Sequence, residues 1–104
     1  KELHVISLSQ LEYVEINNRT LLFHLIDGET KALRGKLSDY EENLLSQPNF
    51  LKIHRSYVIN MDHMKSLNKN SFETMTGKEI PISRNLLTEV HTQYVNYLHS
   101  AIRQ

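Results

Sequence analysis

The sequence predicts a small, mainly β domain with one short internal helix and a C-terminal helix. Short apolar and β-branched runs, separated by Asn- and Gly-containing turns, occupy most of the chain. Residues 36–46 have the pattern of a short helix, and apolar residues recur at helical spacing after Leu86. The 104 residues suffice for one domain with its own core and are too few for two, so we expect residues 1–104 to form a single domain.

The first third of the chain predicts three strands. Residues 3–16 are rich in Val, Ile, Leu and Tyr without helical periodicity, and Asn17-Asn18 is a turn signal before the apolar run 20–26. These two runs predict a hairpin. Asp27-Gly28 is a second turn signal, so residues 30–34 are expected to return as a further strand.

A short helix is predicted over residues 36–46. Ser38 and Glu41 have the spacing of a capping box, and Pro48 prevents the helix from continuing. An apolar stripe at helical spacing is expected to face the core. It consists of Leu37, Tyr40, Leu44 and Leu45.

The second half predicts short strands and then a helix. Strands are expected at residues 51–53, 64–67, 71–75 and 79–82, with turns at 68–70 and 76–78. Ser83 or Asn85 could cap the amphipathic C-terminal helix. The apolar residues of that helix are Leu86, Leu87, Val90, Tyr94, Val95, Leu98, Ala101 and Ile102.

Composition excludes several classes of protein. The absence of cysteine excludes disulfides and Cys-ligated zinc, and no apolar run approaches the roughly 18 residues that span a bilayer, so a soluble domain is expected. The net charge of zero argues against a strongly basic nucleic-acid binder. Residues 48–85 nevertheless contain six Lys and Arg against three Asp and Glu. That excess indicates either a basic surface or ordinary scatter of charge.

Two short basic polar groups interrupt the β segments of the second half. Each centres on an arginine, whose planar fork of donors fits guanine O6 and N7 or a phosphate. Groups of this kind on a small β scaffold indicate recognition of a ligand. They are His54-Arg55-Ser56, within the run 50–60, and Ser83-Arg84-Asn85, which follows Ile80-Pro81-Ile82.

Together these groups resemble the LytTR family of bacterial DNA-binding domains. The family pattern is an aromatic residue followed by a His-Arg-Ser-Tyr-like run that ends in Val-Asn, then a Gly with an Ile-Pro-Ile-Ser-Arg-like segment. The resemblance extends from residue 11 to Asn85. It implies a LytTR-like β-rich fold that presents loops to the grooves of promoter DNA. It also implies two copies on a repeated site, an upstream receiver domain of a response regulator, and a cytoplasmic location.

The resemblance also assigns roles to individual residues. Base readout falls to Arg55 and Arg84, with Arg19 as a third candidate in the first hairpin turn. Tyr57, Val58, Ile59, Ile80 and Ile82 are expected in the core, where they hold the loops. Phosphate or flanking contacts are assigned to Lys52, His54, Ser56, Asn60, Lys69, Ser83 and Asn85.

Other interpretations compete with this one. An isolated surface arginine is commonly paired with a carboxylate, and Arg19 could be an ordinary solvated turn residue. A protein-interaction or dimerisation module is the alternative function, with Tyr94 and Tyr97 of the C-terminal helix packed on a partner. No catalytic site, metal site or cofactor is expected, because the sequence lacks HExxH-like pairs and Gly-rich phosphate loops, and His24 lies within an apolar strand.

Overall fold

The computed structural model describes residues 5–102, which form two antiparallel β-sheets and two α-helices. The fold class predicted from the sequence is confirmed. The helices are α1 (Ser38–Leu45) and α2 (Leu87–Ile102), and 3-10 turns occur at Leu8–Gln10, Met61–His63 and Arg84–Leu86. The strands are β1 (Leu11–Asn17), β2 (Thr20–Leu25), β3 (Thr30–Arg34), β4 (Phe50–His54), β5 (Tyr57–Asn60), β6 (Met64–Leu67), β7 (Ser71–Thr74) and β8 (Glu79–Pro81).

Strand order follows from local hairpins and one long-range pairing. The larger sheet has the order β3-β2-β1-β5-β4, and the smaller sheet has the order β6-β7-β8. Every neighbouring pair is antiparallel. The pairing of β1 with β5 joins the first hairpin to the segment that contains Arg55, so it determines which turns lie side by side.

The larger sheet separates two apolar clusters, because alternate strand residues point to opposite faces. One face packs against α1, and the other packs against the smaller sheet and α2. The α1 side contains Leu11, Val14, Leu21, Phe23, Leu37, Leu44, Phe50 and Val58. The other side contains Tyr13, Ile53, Ile59, Met61, Met64, Phe72, Ile80, Ile82, Val90 and Tyr94.

The strand predictions need two corrections. β5 was not predicted as a strand, because its four residues follow the polar group so closely that the segment resembled a loop. The first strand begins at Leu11, not at residue 3, since residues 8–10 form a 3-10 turn and residues 3–4 lie outside the described range. The core assignment of Val58, Ile59, Ile80 and Ile82 is confirmed, and Tyr57 is partly buried.

The predicted capping of α1 is wrong. Leu37 occupies the N-cap position in a helical conformation, and no side chain caps the helix. Helical hydrogen bonding begins one residue before Ser38, because the backbone N–H of Tyr40 donates to the carbonyl of Leu37 at 2.9 Å. Ser38 therefore lies inside the helix and not at its N-cap. Leu45 is 39% exposed, so the stripe that faces the core is narrower than predicted.

Helix α2 packs on its own sheet. Val90 and Tyr94 are buried, and the Tyr94 ring meets Phe72 edge-on at a centroid distance of 5.1 Å. The Tyr97 hydroxyl donates a hydrogen bond to Asp62, which ties the helix to the turn after β5. The helical spacing of the apolar residues therefore reflects packing in cis over the first part of the helix.

The other details of α2 differ from the expectation. Neither Ser83 nor Asn85 caps α2, because a 3-10 turn precedes the helix. The Ser83 side chain makes no capping hydrogen bond, and Asn85 lies inside that turn. Val95, Leu98 and Ile102 are exposed. Within residues 5–102, no helix is long and apolar enough to cross a membrane.

Candidate nucleic-acid interface

The turns that carry Arg19 and Arg55 lie at the same end of the larger sheet. β1 and β5 are antiparallel neighbours, with Glu15 opposite Tyr57. The backbone N–H of Ile16 donates to the carbonyl of Ser56 at 3.0 Å. Because Asn17 ends β1 one residue further on, the β1–β2 turn lies beside the β4–β5 turn.

Two further backbone hydrogen bonds extend this row of turns. The N–H of Ser83 donates to the carbonyl of Ile53, and the N–H of Ile82 donates to the carbonyl of Asn70, each at 2.9 Å. The first bond places the segment of Arg84 beside the end of β4. The second places the β6–β7 turn, which contains Lys69, next to that segment.

The opposite end of the row is the end of β3. Arg34 pairs with Thr20, and the N–H of Gly35 donates to the carbonyl of Arg19 at 2.8 Å. The row therefore runs continuously from β3 to the β6–β7 turn. Its exposed cations, which we call the basic edge, are Arg19, Arg34, Lys36, Arg55, Lys69 and Arg84.

Ion pairing separates the basic edge from most other cations of the domain. Lys31, Lys52 and Lys65 are each within 4 Å of a glutamate. None of the six basic-edge side chains takes part in such a pair within residues 5–102. Unpaired, exposed cations in one row leave their positive potential available to an external polyanion.

The β4–β5 turn is fixed by side chains on both sides of Arg55. Nδ1 of His54 accepts the backbone N–H of Ser56 at 3.0 Å, and the His54 ring lies against Tyr57 at a centroid distance of 5.4 Å. The Tyr57 hydroxyl donates to Oε2 of Glu15 at 3.5 Å. Arg55 is therefore an exposed side chain at the tip of a rigid hairpin, which suits a residue that reads a base.

A polar network of side chains from β1 and β2 supports the β4–β5 hairpin. Oε1 of Glu15 lies 3.0 Å from Nε2 of His24, whose ring stacks on Tyr13 at 4.1 Å. Burial raises the pKa of Tyr57, and the charge of Glu15 and its hydrogen bond raise it further, so the hydroxyl stays protonated and donates. Burial and the same carboxylate raise the pKa of Tyr13 to about 12. The His24 imidazole is thus hydrogen-bonded and stacked within the fold.

The β1–β2 turn contains an unusual residue. Asn18 and Arg19 both have positive φ, 51° and 67°, which makes a two-residue turn of the type I′ kind. The second position of such a turn favours glycine, because a Cβ is crowded in the left-handed region. Arginine there is disfavoured by the backbone, so its side chain is a candidate for a functional role.

We expect Arg19→Gly to raise the free energy of unfolding by roughly 0.5 kcal/mol. Relief of left-handed strain, about 1–2 kcal/mol, exceeds the cost of a more flexible unfolded chain, about 0.5–1 kcal/mol. Urea unfolding compares this variant with Arg19→Ala, which loses the same side chain and keeps the Cβ. Equal stability of the glycine and alanine variants would contradict the strain.

Seven further predicted contact residues fall into distinct positions. Lys69 and Asn85 are exposed near the row of turns, and Ser56 and Ser83 are partly exposed within it. His54 is partly exposed and fixes the hairpin as described. Lys52 and Asn60 lie elsewhere, and both require correction.

Lys52 faces α1. Its ammonium pairs with Oε1 of Glu41, and it pairs with Val58 in the sheet, whose side chain belongs to the α1-side cluster. Strand alternation places it on the face opposite Leu51 and Ile53. Its charge is therefore neutralised within the fold, and we remove Lys52 from the predicted DNA contacts.

Asn60 is completely buried, with 0% of its surface exposed. Its Nδ2 donates to the carbonyl of Leu11 at 2.9 Å, and its Oδ1 accepts from Nδ2 of Asn49 at 2.8 Å and from the N–H of Asp62 at 3.0 Å. A DNA contact would require all three bonds to break. Asn60 instead connects β1, β5 and the following 3-10 turn.

Arg34 and Lys36 were missed as candidate residues. Neither belongs to a recognisable motif, and both lie far from Arg55 in the sequence. The sequence feature that could have identified these two residues is the pair of turn signals before and after β2. Two successive hairpins return the third strand to the first turn, which places the end of β3 beside Arg19.

Comparison with known proteins is consistent with the geometry. The family model of the LytTr DNA-binding domain matches residues 1–94. The sensory transduction protein LytT of Oceanobacillus iheyensis is 33% identical over 67 residues, which are 64% of this chain and 27% of that protein. The chain thus spans about a quarter of the length of that relative.

A solved structure shows the same fold. It is the LytTr DNA-binding domain of a methyl-accepting/DNA response regulator from Bacillus cereus, which superposes with a TM-score of 0.73 at 19% sequence identity. The match covers 86% of this chain and 84% of the other.

Proposed function

Because the chain belongs to the LytTr DNA-binding domain family, we propose that it binds duplex DNA sequence-specifically through the basic edge. The observation that supports this most directly is charge placement. The net charge of the chain is zero, yet six exposed cations without ion pairs in the described range line the row of turns at one end of the two sheets. A duplex lying along that end would meet positive potential over its whole contact.

Arg55 and Arg84 are proposed as the base-reading residues. Both are exposed on turns anchored by backbone hydrogen bonds, at the ends of β4 and β8 respectively. A guanidinium held in this way can donate two parallel hydrogen bonds to guanine O6 and N7. Phosphate and flanking contacts are proposed for His54, Ser56, Lys69, Ser83 and Asn85, which are polar groups along the same row.

We further propose that the domain is the non-catalytic output module of a cytoplasmic transcription regulator. In that arrangement an upstream receiver domain controls binding, and two copies occupy a repeated promoter site. A single copy offers a small row of turns, which is consistent with a repeated target. Analytical ultracentrifugation with a two-site duplex tests the stoichiometry, and one bound copy at saturation would contradict it.

The first experiment is selection of bound DNA from a random duplex pool, followed by sequencing and fluorescence-anisotropy titration. We expect enrichment of a repeated motif that Arg84→Ala does not enrich. The matched control is Lys78→Ala, which removes an exposed cation from the β7–β8 turn, at the end of the molecule near Glu12. Absence of any enriched motif would contradict sequence-specific binding.

Affinity should fall with rising salt. If Arg55 and Arg84 contact bases, the four remaining basic-edge cations are left to contact phosphates. Each phosphate that they neutralise contributes about −0.9 to the slope of log K against log salt. Titrations at several salt concentrations measure this slope. A slope near zero would contradict a duplex as the partner.

A further inference from the structure

The outer end of the basic edge forms an open cleft of about 410 Å³. Its lining combines side chains from the β1–β2 turn, the end of β3 and the start of α1. It is formed by Arg19, Arg34, Gly35, Lys36 and Asp39. Two separate segments of the chain, the β1–β2 turn and residues 34–36, thus bring cations to one concave surface.

Charge in the cleft is predominantly positive. Three cations and one carboxylate line it, a formal net charge of +2. The carboxylate is already used in the fold, since Oδ2 of Asp39 accepts the backbone N–H of Lys36 at 3.4 Å. The three cations have no ion-pair partner in the described part of the chain.

We propose that this cleft binds a phosphate of the DNA backbone, on the β3 side of the bases that Arg55 and Arg84 contact. The inference rests on the proposed function and extends it. The cleft is continuous with the row of turns through the Gly35 to Arg19 hydrogen bond, so a duplex along the row passes over it. Arginine and lysine from different elements suit a phosphate, which accepts hydrogen bonds from several directions.

The position of the cleft argues for backbone contact. β3 is an outermost strand of the larger sheet, and β2 and β1 lie between it and β5. A base-reading side chain must enter a groove from a protruding turn, whereas a recessed cleft fits the protruding ridge of a phosphate backbone. Arg19, which the sequence offered as a third base reader, is assigned here to this phosphate. Its disfavoured backbone conformation is consistent with a side chain retained for binding.

The test compares Arg34→Ala, Lys36→Ala and the double variant with wild type and with Lys78→Ala. Each is titrated on a selected duplex and on a random duplex of equal length. Each single variant should weaken binding about 3- to 10-fold on both duplexes, and the double variant, which removes two of the three cations at this phosphate, should make the salt slope shallower by about 0.9. Arg34 and Lys36 are exposed, so the variants should keep the thermal midpoint of the wild type.

Several results would overturn the proposal. One is affinity and salt slope equal to those of Lys78→Ala, and another is a loss confined to the selected duplex. Failure of the proposed function looks different, because wild type itself would then show no salt-dependent binding to duplexes.

A second measurement uses the wild-type protein and does not depend on how the variants fold. Removing base pairs from one end of the duplex, one at a time, should produce a single drop in wild-type affinity when the phosphate at the cleft is lost. The double variant should show no drop at that length. Equal drops for both proteins would overturn the proposal.

Discussion

Arg55→Ala is expected to weaken binding to the selected duplex by about 1–3 kcal/mol, or about 5- to 150-fold in Kd, if the side chain is bidentate to a base. Binding to a random duplex should change much less, because random sequences do not offer the matching base at that position. Arg55 is exposed at the tip of a hairpin that His54 and Tyr57 hold in place, so its removal should leave the fold intact. Anisotropy titrations on both duplexes measure the difference.

Two controls make this result specific. Lys78→Ala removes one charge at the other end of the domain and should change both affinities little. Arg55→Lys keeps the charge and loses the planar fork, so it should restore binding to random DNA without restoring preference for the selected sequence. Equal losses on selected and random duplexes for Arg55→Ala would instead place Arg55 among the phosphate contacts.

Asn60→Ala is expected to lower the free energy of unfolding by about 2–3 kcal/mol, because it leaves buried hydrogen-bonding groups without a partner. The groups affected are the carbonyl of Leu11, Nδ2 of Asn49 and the N–H of Asp62. Urea unfolding measures the loss. The affinity of the folded protein for the selected duplex should not change, since the side chain has no exposed surface.

A matched asparagine provides the control for this experiment. Asn43 is exposed on α1, and Asn43→Ala should change stability by no more than about 0.5 kcal/mol. The opposite pattern for Asn60→Ala, wild-type stability with reduced affinity for the selected duplex, would restore Asn60 to the DNA contacts.

Local sequence patterns were sufficient for most of the fold. The turn signals at Asn17-Asn18 and Asp27-Gly28 correctly predicted the β1–β2–β3 hairpins, and helical spacing correctly predicted α1 and α2. These features depend on residues close together in the chain, which is why they can be read from it. β5 was missed because a strand of four residues beside a polar turn has almost no periodicity of its own.

Sequence alone also determined the family resemblance, the two arginine-centred groups and the absence of cysteine chemistry. Only the tertiary structure decided which cations lie together. Lys52 and Asn60 share a segment with Arg55, yet Lys52 pairs with Glu41 and Asn60 is buried. Arg34 and Lys36 are distant from that segment in the sequence, yet they line one cleft with Arg19. The physical reason is that exposure and pairing depend on which face of a strand a side chain occupies and on which strands become neighbours. The β1–β5 pairing brings together residues more than 40 positions apart, and no local pattern specifies it.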